Sequence, residues 1–364
     1  MPGKSYEKFM KSEGLYELTK MITVGFDGNF VHSNLYVDQA DWLLQKNDLV
    51  MMVNEQGVGE HLGRVVLVPE DNTYVLNGTV GSLRPNKDID PFFLKYNINN
   101  NQYYFKNNRL GTSILYVRRS TIEKMSSLIP RFEEQRKLGN FFNVHELKLE
   151  RLEYKIKKLK LLKQTLLAKI FINNNYQLPS FRFKDFQDEW TWKSWSEIVE
   201  KVSKNSNDNT LPKLEYEDID KGKGILNKDI SNKFDDRKGI LFEPGDVLFG
   251  KLRPYLKNWW LADFIGIALG NFWVMKPLNN DSNFVFNLLQ TNRFKEVSNL
   301  TFGTKMPSSD WSLVSEQTFA IPTTSEQTKI GKLFQLLDTL INLQNKEINI
   351  LKELKKTAMK MMLI

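Results

Sequence analysis

The sequence has no cysteine, which excludes disulfides and thiolate metal sites and suits a reducing cytoplasm. Its three histidines, His32, His61 and His145, are scattered without metal-ligand spacing. No apolar run approaches the ~18–20 residues of a membrane span and no signal-peptide pattern opens the chain, so a cytoplasmic location and no membrane partner are expected. There is no P-loop lysine motif and no Gly-x-Ser-x-Gly elbow. Gly57, Gly59 and Gly63 come near a dinucleotide fingerprint, but the third glycine falls one residue late. The residues after Gly63 read as strand rather than helix, so nucleotide binding is rejected. Glu-x-Lys triplets such as Glu146-Leu147-Lys148 arise by composition in Lys/Glu-rich helices. The carboxylates of "LEYEDIDKGKG" (214–224) read as a solvated turn. Nothing here builds a catalytic centre, so a non-enzyme without a cofactor or metal is expected.

What is present is size, packing and positive charge. A chain of 364 residues is too long for one comfortable core, and 41% hydrophobic with 12% aromatic residues describes packed domains. The net charge is +8, which points to a polyanion partner. Residues 133–171 hold ten Lys/Arg against five Asp/Glu, and residues 325–364 hold seven against four. Those two stretches carry the whole excess. A solvated helix face and a phosphate-facing role both remain open for them.

The same stretches contain an internal repeat, the signature to seek before any other. "IPRFEEQRKLGNFF" at 129–142 returns as "IPTTSEQTKIGKLF" at 321–334, 192 positions later. On that offset Ile129, Pro130, Glu134, Gln135, Lys137, Gly139 and Phe142 meet Ile321, Pro322, Glu326, Gln327, Lys329, Gly331 and Phe334. Upstream, Pro85, Phe92 and Gly111-Thr112 meet Pro277, Phe284 and Gly303-Thr304. The unit is therefore a variable domain followed by a long helix, written twice. Met1 falls opposite Lys193, so "LPSFRFKDFQDEWTW" (178–192) has no counterpart in the first half. A first edge strand is expected to be missing there, which would leave backbone unpaired.

Each helix carries a seam spaced alternately four and three. It runs Leu138, Phe142, His145, Leu149, Leu152, Ile156, Leu159, Lys163, Leu166 and Ile170 in the first copy. In the second it runs Ile330, Phe334, Leu337, Ile341, Gln344, Ile348, Leu351, Lys355, Ala358 and Met362. Five such heptads argue for a coiled coil. Pro130 and Pro322 mark the entries, and Thr323 with Glu326 has capping-box spacing that the first copy lacks. Lys163 and Lys355 interrupt the seam at matching places. They are expected to lean outward on their stems, with a register-setting role as the alternative. At ~1.5 Å per residue each helix would run roughly 60 Å. Antiparallel packing of the two would place one variable domain near each end of a spacer, an arrangement suited to a two-part DNA site.

Candidate contacts lie in the variable halves. "GKLRPYLKN" gathers Lys251, Arg253, Tyr255, Lys257 and Asn258 between strand-like runs. Cations hold phosphates, and Arg or Asn reads base edges. The neighbouring Trp259 and Trp260 read as strand core. In the first half Asn54, Gln56 and Arg64 flank glycines that permit close backbone approach. Gly111-Thr112 and Gly303-Thr304, the latter followed by Lys305, form either a second contact loop or a turn shared for folding.

These residues together resemble the specificity subunit of type I restriction–modification systems. The "IP…EQ…KIG…F" phrase leading twice into a long helix is that family's most specific signature. "GDVLFGKLRPYLKN" (245–258) and "LPSFRFKDFQDEWTW" (178–192) are similar to its target-recognition domains. The resemblance implies an α+β chain in which two mixed α/β target-recognition domains are separated by two long helices forming an antiparallel coiled coil. The corresponding boundaries are 1–128, 129–171, 172–320 and 321–364. It implies double-stranded DNA as partner, with two S-adenosylmethionine-dependent methyltransferase subunits docked on the helices and a motor–nuclease subunit in the full complex. The remaining alternative from the residues themselves is a coiled-coil adaptor with two protein-binding ends.

Overall fold

The computed structural model describes residues 5–172, 179–300 and 307–363. The chain divides into two compact units, Met1–Glu153 with Lys346–Ile364, and Tyr154–Asn345. They are called unit 1 and unit 2. Two helices of 39 residues, Phe132–Ile170 and Thr324–Met362, each contribute one part to each unit. No helix among the described residues is long and apolar enough to cross a membrane.

In unit 1, Leu49–Met52 is apolar throughout and buried throughout, as a strand covered on both faces should be. It pairs antiparallel with Val65–Leu67 on one side and Val80–Leu83 on the other. A second sheet sets Tyr16–Thr19 antiparallel to Tyr36–Val37 and parallel to Tyr74–Leu76. Unit 2 repeats this plan. Val247–Gly250, again fully buried, lies between Trp259–Leu261 and Phe272–Pro277. Lys213–Leu214 runs parallel to Gly266–Ala268. After Trp259–Leu261 the chain crosses to the other sheet for Gly266–Ala268, then returns to the far side of Val247–Gly250. To the sheet built on Val247–Gly250, unit 2 adds a fourth strand, Val199–Val202, outside Phe272–Pro277.

The long helices run antiparallel within each unit. In unit 1, Leu138 and Phe142 pack with Ala358, Met359 and Leu363, while Lys148 pairs with Glu347 at 2.8 Å and Glu153 with Lys352 at 2.8 Å. In unit 2, Leu159, Leu166 and Ile170 share a core with Ile330, Phe334 and Leu337. The four-three seam is the inward face in both. Its last expected member, Met362, is exposed, and Leu363 is buried instead.

Lys163 and Lys355 do not lean outward. Lys163 Nζ donates to both oxygens of Asp338, at 2.7 and 2.8 Å, and to Gln290 Oε1 at 3.0 Å. Lys355 Nζ meets Glu146 Oε1 at 3.1 Å and lies 5.4 Å over the Tyr96 ring. Glu146 and Asp338 are themselves 192 positions apart, so the repeat writes one interhelical ion pair twice. Glu326 also departs from expectation. Its carboxylate receives Arg182 through two bonds of 2.8 Å, an Arg–carboxylate fork, rather than closing a capping box on Thr323.

The repeated phrase has a second duty besides opening a helix. In unit 1 the helix Pro91–Asn100 is capped by Asp90, whose Oδ1 accepts from Phe93 N at 2.9 Å. Gln135 Oε1 accepts from Asp90 N at 2.9 Å, and Gln135 Nε2 donates to Pro130 O at 2.9 Å. In unit 2, Asp281 caps Ser282–Leu289 through Phe284 N, while Gln327 Oε1 accepts from Asp281 N at 3.0 Å and Gln327 Nε2 donates to Pro322 O at 3.0 Å. Gln135 and Gln327 thus clamp the capped helix of each unit to its long helix. The matched aromatics are Phe93 and Phe284, so the offset is 191 here and 192 along the long helices. Phe92 is not the partner of Phe284.

Gly139 and Gly331 complete that clamp by being small. A Cβ on Gly139 would lie 2.5 Å from Asp90 Oδ1 and 2.7 Å from Phe93 N, and one on Gly331 would lie 2.3 Å from Asp281 Oδ1 and 3.0 Å from Phe284 N. Backbone cannot move aside as a flexible side chain does. Gly139→Ala is therefore expected to destabilise unit 1 by about 1–3 kcal/mol despite the higher helix propensity of alanine. Urea unfolding would read this as a lower midpoint, and a midpoint at or above wild type would show that the helix does not need this approach.

Candidate nucleic-acid interface

In unit 2 the strands Val247–Gly250 and Trp259–Leu261 are joined by the basic loop. Pro254 starts a short 3-10 turn, Pro254–Leu256, and both flanking residues are left-handed: Arg253 has φ 52 and Lys257 has φ 58. For non-glycine residues that conformation is uncommon and costs energy. It persists because each flank is bonded from two sides. Arg253 N donates to Pro307 O at 2.8 Å and Arg253 O accepts from Leu256 N at 2.8 Å. Lys257 N donates to Pro254 O at 3.0 Å and Lys257 O accepts from Gly222 N at 2.9 Å. The result holds the two side chains outward, with Tyr255, 55% exposed, between them.

None of Lys251, Arg253 and Lys257 has an ion-pair partner among the described residues. Several other cations of the unit are spent internally. Lys228 and Lys233 bind the buried Asp218 at 2.8 and 2.7 Å, and Arg237 forks between Glu215 at 2.8 Å and Asp235 at 2.7 Å. The 214–224 stretch is thus a structured ion-pair network, not a solvated turn. Burial pushes the Asp218 carboxyl up, but hydrogen bonds from Lys228 and Lys233 outweigh it and hold it below the usual carboxylate range.

One cation near the loop escaped sequence reasoning. Burial, and then the charge of Lys257, lower the pKa of Lys295. Two lysines held together without a carboxylate form a local excess of positive charge that an anion would relieve. Lys295 sits on Asn292–Ser298, and only the tertiary fold brings that helix to the loop. Asn258, by contrast, leaves the candidate surface. It is 2% exposed and its carbonyl accepts from Gly250 N at 2.7 Å. Trp259 and Trp260 are buried strand residues, as their pattern suggests.

Lys251 and its neighbours also pair with a second segment. Lys251 O accepts from Ser309 N at 2.8 Å, and Leu252 bridges Ser308. Gly303, Thr304 and Lys305, a few residues upstream, lie outside the described residues.

Unit 1 shows the same pairing with different chemistry. Asn54–Gln56 runs antiparallel to Ile114–Tyr116, so Asn54, Gln56 and the Gly111-Thr112 turn share one two-stranded ribbon. Gln56, Gly111 and Thr112 are exposed, and Asn54 is half-buried. Arg64 is committed elsewhere. Its Nη1 donates to Phe26 O at 2.5 Å, and burial, offset by Asp27 and Glu55, lowers the guanidinium pKa. The close approach permitted by Gly63 is to the protein itself, since a Cβ there would lie 2.2 Å from the Phe105 ring.

Comparisons with known proteins agree on one family. The family model described as the type I restriction modification DNA specificity domain matches residues 4–161 and again 187–353, most of the chain in two copies. The specificity subunit of the type I restriction enzyme MjaVIII from Methanocaldococcus jannaschii is 23% identical over 379 residues, covering 96% of this chain and 86% of that one. The EcoDI specificity subunit from Escherichia coli is 25% identical over 290 residues, covering 68% and 64%. Among solved structures, the type I restriction-modification S subunit from M. genitalium has a TM-score of 0.67 at 19% identity, covering 100% of this chain and 92% of that one. The chain belongs to the type I restriction-modification DNA specificity family.

Proposed function

We propose that each unit reads one half of a two-part DNA target, and that the chain is the recognition subunit of a type I restriction–modification complex. In this reading 1–128 and 172–320 are the target-recognition domains, and 129–171 and 321–364 are the spacer helices. Two methyltransferase subunits dock on the helices, and a motor–nuclease subunit joins for cleavage. The methylating and cutting chemistry belongs to those partners.

The observation that carries the reading is the loop of unit 2. Three cations without ion-pair partners among the described residues stand on a loop whose two left-handed residues are each bonded through N and O, next to a fourth cation that Lys257 already disfavours. A phosphate backbone supplies the missing counter-charge, and the fixed loop supplies register. The ribbon of unit 1 offers amide and hydroxyl groups instead, from Asn54, Gln56 and Thr112, which suits readout of a different half-sequence.

Titration of the chain with its cognate methyltransferase against target DNA tests this. Each phosphate neutralised contributes about −0.9 to the slope of log K against log salt. Three contacts in unit 2 alone would weaken binding roughly 40-fold between about 50 and 200 mM salt. A flat salt profile would remove the DNA role.

A further inference from the structure

Each unit carries a second, shorter helix directly after the capped one. It is Gln102–Asn107 after Pro91–Asn100 in unit 1, and Asn292–Ser298 after Ser282–Leu289 in unit 2. Both hold the pair Phe-Lys, as Phe105-Lys106 and Phe294-Lys295, 189 positions apart. The match is hidden on the offset of 192 and emerges only from the order of the helices. Phe105 and Phe294 are fully buried, each in the core of its own unit. A helix turns by about 100° per residue, so the residue after a buried phenylalanine is carried away from the core. Lys106 is accordingly exposed, and Lys295 is half-buried.

Neither lysine has an ion-pair partner among the described residues. Lys106 opens the run Lys106-Asn107-Asn108-Arg109, four exposed residues without an acid. Lys295 Nζ donates to Asn292 Oδ1 at 3.2 Å, and the charge that acts on it, Lys257, has its own sign. Lys295 also lines a recess of about 290 Å³ with Gln164, Gln290, Thr291 and Asn292, and no carboxylate is in that lining. Each helix is tied to the candidate contact element of its unit. In unit 2, Ser309 Oγ donates to Ser298 O at the helix end while Ser309 N donates to Lys251 O at 2.8 Å. In unit 1, Leu110 exchanges two backbone bonds of 2.9 Å with Tyr116, the residue paired with Asn54 in the ribbon. Arg109 Nη1 donates to Val58 O at 2.8 Å, just past the Asn54–Gln56 strand.

We propose that Lys106 and Lys295 are matched phosphate anchors, one for each half of the DNA target, that set the neighbouring ribbon and loop in register on the duplex. The proposal rests on the DNA-reading role argued above. An ammonium is a compact point charge suited to a phosphate, and a phosphate contact fixes position without carrying sequence information. The repeat thus keeps one positioning contact in both units, while ribbon and loop differ in chemistry as two different half-sequences require.

The test uses the chain in complex with its cognate methyltransferase, titrated over a range of salt against target DNA defined by adenine-methylation mapping. Lys106→Gln and Lys295→Gln should each make the slope of log K against log salt shallower by about 0.9, and the double variant by about 1.8. Lys295→Arg, which keeps the charge, should keep the wild-type slope, a distinction that a merely structural role would not produce. Mapping should return the same two half-sequences for every variant. Lys106 is exposed, so Lys106→Gln keeps its fold and carries the test whatever Lys295→Gln does to stability. A wild-type slope in either glutamine variant would overturn the proposal. A half-sequence that turns degenerate in either variant would make that lysine a reader of bases and overturn the anchor role. A flat profile in the wild-type complex would instead remove the DNA role itself, and the anchors with it.

Discussion

Replacing Glu146 by alanine is expected to cost unit 1 about 3–5 kcal/mol, the usual penalty for leaving a buried charge without its partner. Glu146 Oε2 accepts from Lys95 Nζ at 2.9 Å and from the Tyr96 hydroxyl, and its Oε1 accepts from Lys355 Nζ at 3.1 Å. Lys95 is nearly as buried as Glu146, so the variant strands an ammonium in the interior. The repeat provides an internal control. Asp338 holds Lys163 in the matching position of unit 2 but is more exposed, so Asp338→Ala should cost clearly less. The pH dependence has a definite sign. Burial pushes the Glu146 carboxyl up, but Lys95 and Lys355 outweigh it and hold it below its ordinary value. A carboxyl depressed in the folded state contributes stability that is present above its unfolded pKa of about 4.3 and is lost as pH falls through the folded value. The gap between wild type and Glu146→Ala should therefore be widest near neutral pH and narrow in acid. Denaturant midpoints at both pH values would show it. A variant within about 1 kcal/mol of wild type at pH 7 would mean that Lys95 finds another counter-charge.

How much of the fold and the site was legible in the sequence depends on how far apart the interacting residues lie. The seam was readable because four-three spacing is a local property of one helix, and burial tracks it along both copies. The glutamine and glycine of the repeated phrase were visible as identities, but their duty was not, because Asp90 and Asp281 lie more than forty residues away. The ion pairs of Lys163 and Lys355 were hidden for the same reason. Their carboxylates sit on the other helix, and a lysine in an apolar seam has no local feature that distinguishes an ion pair from an outward stem. The aromatic match failed at Phe92 because a single-residue change of offset between domain and helix is invisible until the cap geometry aligns Phe93 with Phe284. In the basic loop, chemistry was readable and orientation was not. Asn258 comes directly after Lys257, yet the left-handed turn ends between them and sends the asparagine inward.

Glycine at both left-handed positions of that loop should abolish recognition by unit 2 while leaving the fold intact. Arg253→Gly with Lys257→Gly removes two of the loop's three cations, none of which has an ion-pair partner among the described residues. It also places in each left-handed site the residue that adopts that conformation without steric cost. The relief of strain and the extra freedom glycine gives the unfolded chain oppose each other at about 0.5–1 kcal/mol each. Stability should consequently stay near wild type. Binding should not. Loss of two phosphate contacts makes the salt slope shallower by about 1.8. If Arg253 instead forks onto a guanine, about 1–3 kcal/mol of discrimination disappears at one position. Either case corresponds to a loss of affinity of about 10-fold or more near physiological salt. Adenine-methylation mapping with the cognate methyltransferase separates the units. Because the substituted loop belongs to unit 2, one half-sequence should become degenerate while the other is read as before. Equal relaxation in both halves would show that the units do not read DNA independently. Unchanged methylation with a stable double-glycine variant would take the loop out of the interface altogether.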